Sequence, residues 1–118
     1  MNFSQENVKG ILIKHVHLTR ATKDQAEQFK QFLLKDIEQN KSSIIVDLAE
    51  CEFIDSTFIS SLVVGLKAIN RSEGKLKIVA VHSDVQSVFE LTGMVKVFEI
   101  YKSVSDALSN FDLNNPRV

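Results

Sequence analysis

The residues with the clearest potential for chemistry are an acid followed by two hydroxyls, Asp55, Ser56 and Thr57. They lie between an apolar run at residues 44–48 and a helix-like segment at residues 58–70. A strand that enters a helix through such a turn places hydroxyls at a helix N-terminus, where unpaired N–H groups and the helix dipole favour negative charge. One hydroxyl could therefore carry a phosphate. The local pattern alone favours a simpler alternative, in which Asp55 or Ser56 only caps the helix.

Two apolar stripes are predicted on the helix after this turn, because an α-helix advances about 100° per residue. The first stripe is expected to face a sheet and comprises Ile59, Leu62, Val63, Leu66 and Ile69. The second stripe lies beside it and comprises Phe58, Ser61, Val64, Gly65 and Ala68. Its small and apolar residues would suit close docking of another protein. The pattern leaves open the alternative that a neighbouring helix of the same domain covers this second stripe.

Strands and helices alternate along the chain. Apolar runs predict one strand or two short ones at residues 8–18, with Gly10 as the bend, and further strands at residues 43–48, 75–81 and 97–101. Helical spacing predicts helices at residues 22–40, 58–70, 84–92 and 103–111. The first is expected to begin with a capping box formed by Thr22 and Gln25, and the third to begin at a cap on Ser83 and to end at a left-handed Gly93. The order predicts one α/β domain over residues 1–118, with a mostly parallel or mixed central sheet and flanking helices. Its ordered core is expected at residues 3–111, and residues 112–118 are expected to form a tail.

Composition sets the broad class of protein. The 118 residues, of which 44% are hydrophobic, suffice for one folded domain with a core. A formal net charge of -1 and the lack of a long basic block argue against nucleic acid as a partner. The sequence has no run of about 18 apolar residues and no secretory leader pattern, so we expect a cytoplasmic chain without membrane insertion. With one cysteine, Cys51, no internal disulfide can form.

Neither an enzymatic nor a metal-dependent activity is predicted. Ser56 lacks the Gly-x-Ser-x-Gly elbow of a serine hydrolase, and His15, His17 or His82 would be its base only if the fold brought one close. His15 and His17 alternate along one strand and share a face, which can begin a metal site, but further clustered ligands are missing. Glycine-rich phosphate loops and dinucleotide fingerprints are also missing, so no cofactor is expected.

Three blocks of sequence share the order and spacing of one family: residues 45–48 with 53–57, residues 75–79, and residues 85–94 followed by 97–101. The chain resembles a STAS domain, the family of bacterial anti-sigma factor antagonists and related regulators. In this family the Asp-Ser-Ser or Asp-Ser-Thr turn holds the phosphorylated hydroxyl. The resemblance therefore implies Ser56 as the acceptor and Thr57 as the second choice. It also implies that Asp55 caps the helix or orients the hydroxyl and the incoming kinase.

One part of the family pattern is different here. The family usually continues with Gly-Leu-Gly after the hydroxyl pair, whereas Phe58, Ile59 and Ser60 occupy these positions. Replacing the two glycines changes the backbone freedom and is expected to add bulk beside the acceptor hydroxyl.

The resemblance implies a non-enzymatic phosphoswitch. Such a protein binds a serine kinase of the anti-sigma type when unmodified, releases it when phosphorylated, and is reset by a PP2C-type phosphatase. The second stripe and the turn would then form the partner-binding surface. An alternative, favoured by Phe58 and Ser60, is a STAS scaffold subunit of a lipid-transport or stress-sensing assembly without obligatory phosphorylation. A response-regulator receiver is the closest rival in length and element order, but its acidic pair is replaced by His17-Leu18-Thr19.

Overall fold

A five-stranded mixed sheet organises the fold in the computed structural model, which describes residues 2–111. The strands are β1 (Phe3–Val8), β2 (Ile11–Val16), β3 (Arg20–Ala21), β4 (Ser43–Asp47), β5 (Phe53–Ile54), β6 (Lys75–Val79) and β7 (Glu99–Tyr101). The helices are α1 (Lys23–Ile37), α2 (Ser56–Arg71), α3 (Ser83–Leu91) and α4 (Val104–Ser109). The sheet has the order β1-β2-β4-β6-β7, while β3 and β5 form a separate pair. The tail predicted at residues 112–118 lies outside the described residues.

The sheet is mixed because its first strand runs against the others. Strands β2, β4, β6 and β7 are parallel, whereas β1 pairs antiparallel with β2, which confirms the α/β class. Of the alternatives predicted for residues 8–18, two short strands with a bend at Gly10 is the one that fits, but the bounds are wrong, because the first strand begins at Phe3. Lys9 and Gly10, with φ of 54° and 89°, form a tight turn between two strands, as left-handed residues do in hairpins. The first strand gives little signal in the sequence because it is an edge strand whose residues are mostly exposed.

Helices cover both faces of the sheet. One face packs against α1, α2 and α3 through residues that include Leu12, Ile44, Val46 and Ile78. The other face packs against α4: Ile13, Ile45 and Val79 of the sheet lie in one cluster with Ala107 of the helix. Neighbouring strand residues therefore point into different cores, which explains the unbroken apolar run of β4. Cys51 is buried in the first core, and this burial raises the pKa of its thiol to about 12.

Helix α1 begins with the predicted capping box. The Thr22 hydroxyl accepts a hydrogen bond from the Asp24 N–H at 3.3 Å, and the Gln25 side chain accepts one from the Thr22 N–H at 3.0 Å. The residues predicted to bury one face are indeed buried, namely Ala26, Phe29, Leu33 and Ile37. The capping box and the apolar stripe indicate the same helix, so its start and its buried face could be predicted from the sequence alone.

Helix α2 begins at Ser56, two residues before the predicted start, and is buried on two sides. Of the first stripe, Leu62 is fully buried as predicted, while Leu66 is half-buried and packs at the edge of the core. Ile59 and Ile69 are also buried, so the stripe expected to face the sheet does so.

Some predicted element ends differ from the structure. Gly93 is left-handed, with φ of 76°, as predicted, but a short 3-10 turn at Met94–Lys96 follows it and delays β7 to Glu99. The predicted cap at Ser83 is wrong, because His82 occupies the N-cap position of α3 and makes no side-chain cap bond there. Helix α4 ends at Ser109, two residues before its predicted end. Within residues 2–111, no helix combines the length and the apolar content needed to span a bilayer.

We predict that Leu62→Ala lowers the free energy of unfolding by about 2 to 5 kcal/mol, because a fully buried leucine leaves a cavity. Leu66→Ala should cost roughly 1 kcal/mol, because its side chain is already partly solvated in the native state. Equilibrium denaturation in urea measures both changes. Equal losses for the two variants, or a larger loss at Leu66, would contradict this orientation of α2.

Candidate functional site

Helices α1 and α2 begin side by side, because the two short strands before them are paired. In the β3–β5 pair, Arg20 lies opposite Phe53 and Ala21 lies opposite Ile54. The Asp55 N–H extends this pairing by donating to the Ala21 carbonyl oxygen at 3.1 Å. The two helix N-termini, with their unpaired N–H groups and positive dipole ends, are therefore neighbours.

The carboxylate of Asp55 caps both helices. Its Oδ1 accepts a hydrogen bond from the N–H of Phe58 in the first turn of α2, at 2.9 Å. Its Oδ2 accepts one from the N–H of Lys23, the first residue of α1, also at 2.9 Å. The prediction that Asp55 caps α2 is confirmed, and the bond to α1 is an addition that the sequence pattern did not indicate. Because a backbone amide holds each oxygen, the carboxylate is fixed next to Ser56 in the chain.

The hydroxyl pair is accessible. Ser56 is the first residue of α2 and is exposed, as is Thr57. The Phe58 ring is fully buried and stacks on Phe29, with 5.0 Å between ring centroids. Ser60 is exposed, and its hydroxyl donates to the Ser56 carbonyl oxygen at 3.0 Å. The expectation that Phe58 adds bulk beside the acceptor is wrong, because the ring points into the core.

The second stripe of α2 is mostly internal, which corrects its predicted place in a docking surface. Its buried members are Phe58, Ser61 and Gly65, and Ala68 is half-buried. Helix α1 covers this side so closely that a Cβ atom added to Gly65 would lie 2.3 Å from Leu33 Cδ2. The small residues therefore serve the packing of α1 on α2, the alternative that the sequence left open. Val64, at 40% exposed, is the member of the stripe that reaches the surface.

A groove between α1 and α2 lies beside the hydroxyl turn. Its volume is about 240 Å³, and its lining includes Lys23, Lys30, Thr57, Ser60 and Val64. Lys30 is paired with Glu27 at 3.0 Å across one helical turn. This groove could not be predicted from the sequence, because its two walls come from separate helices. Hydroxyls, cations and an exposed valine are thus combined at a surface that a protein partner can contact.

His15 joins two strands of the sheet through two carboxylates. Its Nδ1 lies 2.7 Å from Asp47 Oδ2, and its Nε2 lies 2.7 Å from Glu6 Oε2. Carboxylates on both sides of the ring favour the protonated imidazole, in which both ring nitrogens are donors. Burial by itself would lower the pKa of His15, but the hydrogen bonds with Glu6 and Asp47 outweigh it and raise the pKa. His15 therefore has a structural role, as the partner of Glu6 and Asp47 within the sheet.

The other histidines are also separate from the hydroxyl turn. His17 Nδ1 lies 2.8 Å from Glu50 Oε2, and its Nε2 lies 2.7 Å from the Ser4 hydroxyl. His82 Nε2 lies 3.9 Å from a carboxylate oxygen of Glu52. Across residues 2–111, none of the three histidines forms a hydrogen bond with the Ser56 side chain. The same part of the chain has no group of three or more His, Cys, Asp or Glu residues placed to hold a metal ion.

Comparison with known proteins identifies the family. A family profile described as STAS domain matches residues 23–107, which include both helices of the site and the strands β4 and β6. The chain therefore belongs to the STAS domain family, as the sequence blocks predicted. The receiver alternative is set aside by this match.

Individual relatives carry names from anti-sigma regulation. One is the "Putative anti-sigma factor antagonist BtrV" of Bordetella bronchiseptica, 22% identical over 99% of this chain and 100% of its own length. A crystal structure of a "putative anti-sigma factor antagonist" from Thermotoga maritima is 25% identical, covers 91% of this chain and 92% of that chain, and has a TM-score of 0.82. The phosphorylated form of Bacillus SpoIIAA, 15% identical over 91% of this chain and 96% of that chain, has a TM-score of 0.69 and shares the fold.

We predict that Gly65→Arg prevents folding or greatly lowers the denaturation midpoint, because the fully buried Leu33 fills the space that the new side chain needs. The matched control is Val64→Arg, at the adjacent and exposed position, which should change stability by no more than about 0.5 kcal/mol. Urea denaturation followed by circular dichroism measures both. A folded Gly65→Arg variant with wild-type stability would mean that α1 does not cover this side of α2.

Proposed function

We propose that this chain is a phosphorylation-controlled antagonist of an anti-sigma factor. In its unmodified form it binds a serine kinase of the anti-sigma type, and phosphorylation of Ser56 releases that partner. The observation that carries the proposal is the exposed hydroxyl at the first residue of α2, next to an acid fixed by two backbone amides. Membership of the STAS family and likeness to proteins named as anti-sigma factor antagonists support it.

A phosphate at Ser56 would be tolerated by the domain itself. It adds about -1.5 to -2 charges at pH 7. The N-termini of α2 and of the adjacent α1 present positive dipole ends near that charge. A partner shaped for a neutral serine has no such compensation, and burial of an uncompensated dianion is costly. Phosphorylation is therefore expected to lower the affinity for the partner much more than the stability of the domain.

The partner-binding surface of the proposal is centred on the exposed turn. It comprises Ser56 with Thr57, Ser60 and Val64, which line the adjoining groove. Thr57 is the second choice as acceptor, because it is also exposed. The buried members of the second stripe contribute indirectly, by holding α1 against α2. Asp55 positions the acceptor through its two caps.

The remaining parts of the proposal concern the setting of the switch. A PP2C-type phosphatase removes the phosphate, and the chain itself acts in the cytoplasm as a regulator without catalysis. The alternative is a STAS scaffold subunit without obligatory phosphorylation. The sequence argument for that alternative was the replacement of the usual glycines by Phe58 and Ser60. The Phe58 ring is buried against Phe29, whereas Ser60 is exposed and its hydroxyl donates to the Ser56 carbonyl oxygen.

We predict that Ser56→Asp weakens binding of the kinase and that Ser56→Ala retains binding but blocks modification, because only the first adds charge at the contact. The purified chain is incubated with ATP and with each histidine-kinase-like ATPase encoded near it in the source genome, and phosphorylated residues are mapped by mass spectrometry. Affinities are measured by calorimetry. The matched control is Ser83→Asp, which places the same charge at the exposed first residue of α3 and should leave binding unchanged.

The outcomes separate the candidates. Phosphate found at Thr57 alone would move the acceptor by one residue. Equal weakening by Ser56→Asp and Ser83→Asp would show a general charge effect and contradict a contact at the turn. Absence of phosphate incorporation with every such kinase would contradict the switch and favour the scaffold subunit.

A further inference from the structure

Arg20 and Phe53 form an exposed pair in the segment that leads to Ser56. The two residues face each other across the β3–β5 pair, and the guanidinium carbon lies 4.2 Å from the centroid of the Phe53 ring. Arg20 is exposed, and 37% of Phe53 remains accessible. Phe53 precedes the acceptor serine by three residues, so the pair adjoins the hydroxyl turn.

The backbone under this pair is held firmly. The N–H groups of Glu52 and Phe53 both donate to the Thr19 carbonyl oxygen, at 2.8 and 3.1 Å. The strand pairing itself, and the bond from the Asp55 N–H to the Ala21 carbonyl oxygen, continue this attachment up to the turn. A side chain placed on such a platform loses little conformational entropy when a partner binds to it.

The arginine has binding capacity that its own domain does not use. A guanidinium that lies over the face of an aromatic ring can still donate N–H groups to a carboxylate. No carboxylate in the described part of the chain forms an ion pair with Arg20. The neighbouring acid, Glu52, lies instead near His82 at 3.9 Å. Arg20 could serve only to cover the Phe53 ring. That role would not require a positive charge, so it does not explain why the residue is an arginine.

We propose that Arg20, presented on Phe53, binds a side-chain carboxylate of the protein that engages the Ser56 turn. The inference rests on the proposed function and specifies the chemistry of the partner surface next to the acceptor. Arginine and aromatic residues are enriched among the residues that dominate protein interfaces. The guanidinium edge matches a carboxylate in a bidentate arrangement, which would fix the orientation of the partner over the acceptor hydroxyl.

The experiment uses a kinase that phosphorylates Ser56 and measures its affinity for the unmodified chain by calorimetry, without nucleotide. Arg20→Glu is expected to weaken binding about tenfold or more, and Arg20→Gln about fivefold, because the first adds repulsion to the loss of the ion pair. Phe53→Leu should weaken binding less, because it removes the platform but keeps the charge. The matched control is Lys9→Glu, with the same charge change in the β1–β2 turn at the opposite end of the sheet. Its affinity should stay within about twofold of wild type.

A second arm identifies the carboxylate. Each surface Asp or Glu of the kinase is changed to Arg, and one such variant should recover the binding lost by Arg20→Glu. Thermal denaturation checks that the Arg20 variants are folded. If Arg20→Glu is not folded, Arg20→Gln replaces it in the affinity measurements. Wild-type affinity in the Arg20 variants, or the same loss in Lys9→Glu, would overturn the inference while leaving the switch intact. The same affinities are also measured with nucleotide present, and a loss seen only then would assign Arg20 to a phosphate of the nucleotide and overturn the inference. Failure of every kinase to bind the wild-type chain would overturn the proposed function itself.

Discussion

One carboxylate determines how the functional end of this domain is built. Asp55 accepts one backbone hydrogen bond from α1 and one from α2, so a single side chain satisfies unpaired donors at the start of two helices. The helices must then run next to each other from their first turns. Their contact follows from that placement: Phe29 stacks on Phe58, and Leu33 fills the space above Gly65. The same constraint leaves Ser56, which follows the bridging acid, at the exposed first position of α2.

This arrangement separates the residues that stabilise the domain from those assigned to the proposed switch. The residues that hold α1 on α2 are buried, whereas the hydroxyls, Val64 and the Arg20–Phe53 pair lie on the outside. A charge added at Ser56 would change what a partner meets without disturbing the helix contact beneath it. The proposed switch would therefore act by changing one surface group, while the fold beneath it stays the same. It also explains why Phe58 can replace a glycine here, since its ring extends the core rather than the surface.

The parts of the molecule that could be predicted are those encoded by local pattern. The capping box at Thr22, the buried face of α1 and the strand with apolar side chains on both faces all follow from neighbouring residues. The family motif added Ser56 as the acceptor, which stays a prediction. The parts that could not be predicted depend on contacts between distant segments. The bond from Lys23 to Asp55 joins residues far apart in sequence, and a stripe of small residues looks the same whether another helix or another protein covers it. Strands of two residues, such as β3 and β5, are too short to show the alternation of apolar and polar residues that marks a strand.

The most direct test of this account measures amide hydrogen exchange at Lys23 and Phe58 by nuclear magnetic resonance, in the wild-type domain and in Asp55→Ala. Both amides donate to the same carboxylate, so removal of that carboxylate should increase the exchange rate of both. A folded Asp55→Ala domain in which the Phe58 amide exchanges faster while the Lys23 amide is unchanged would contradict the claim that one carboxylate holds the start of both helices.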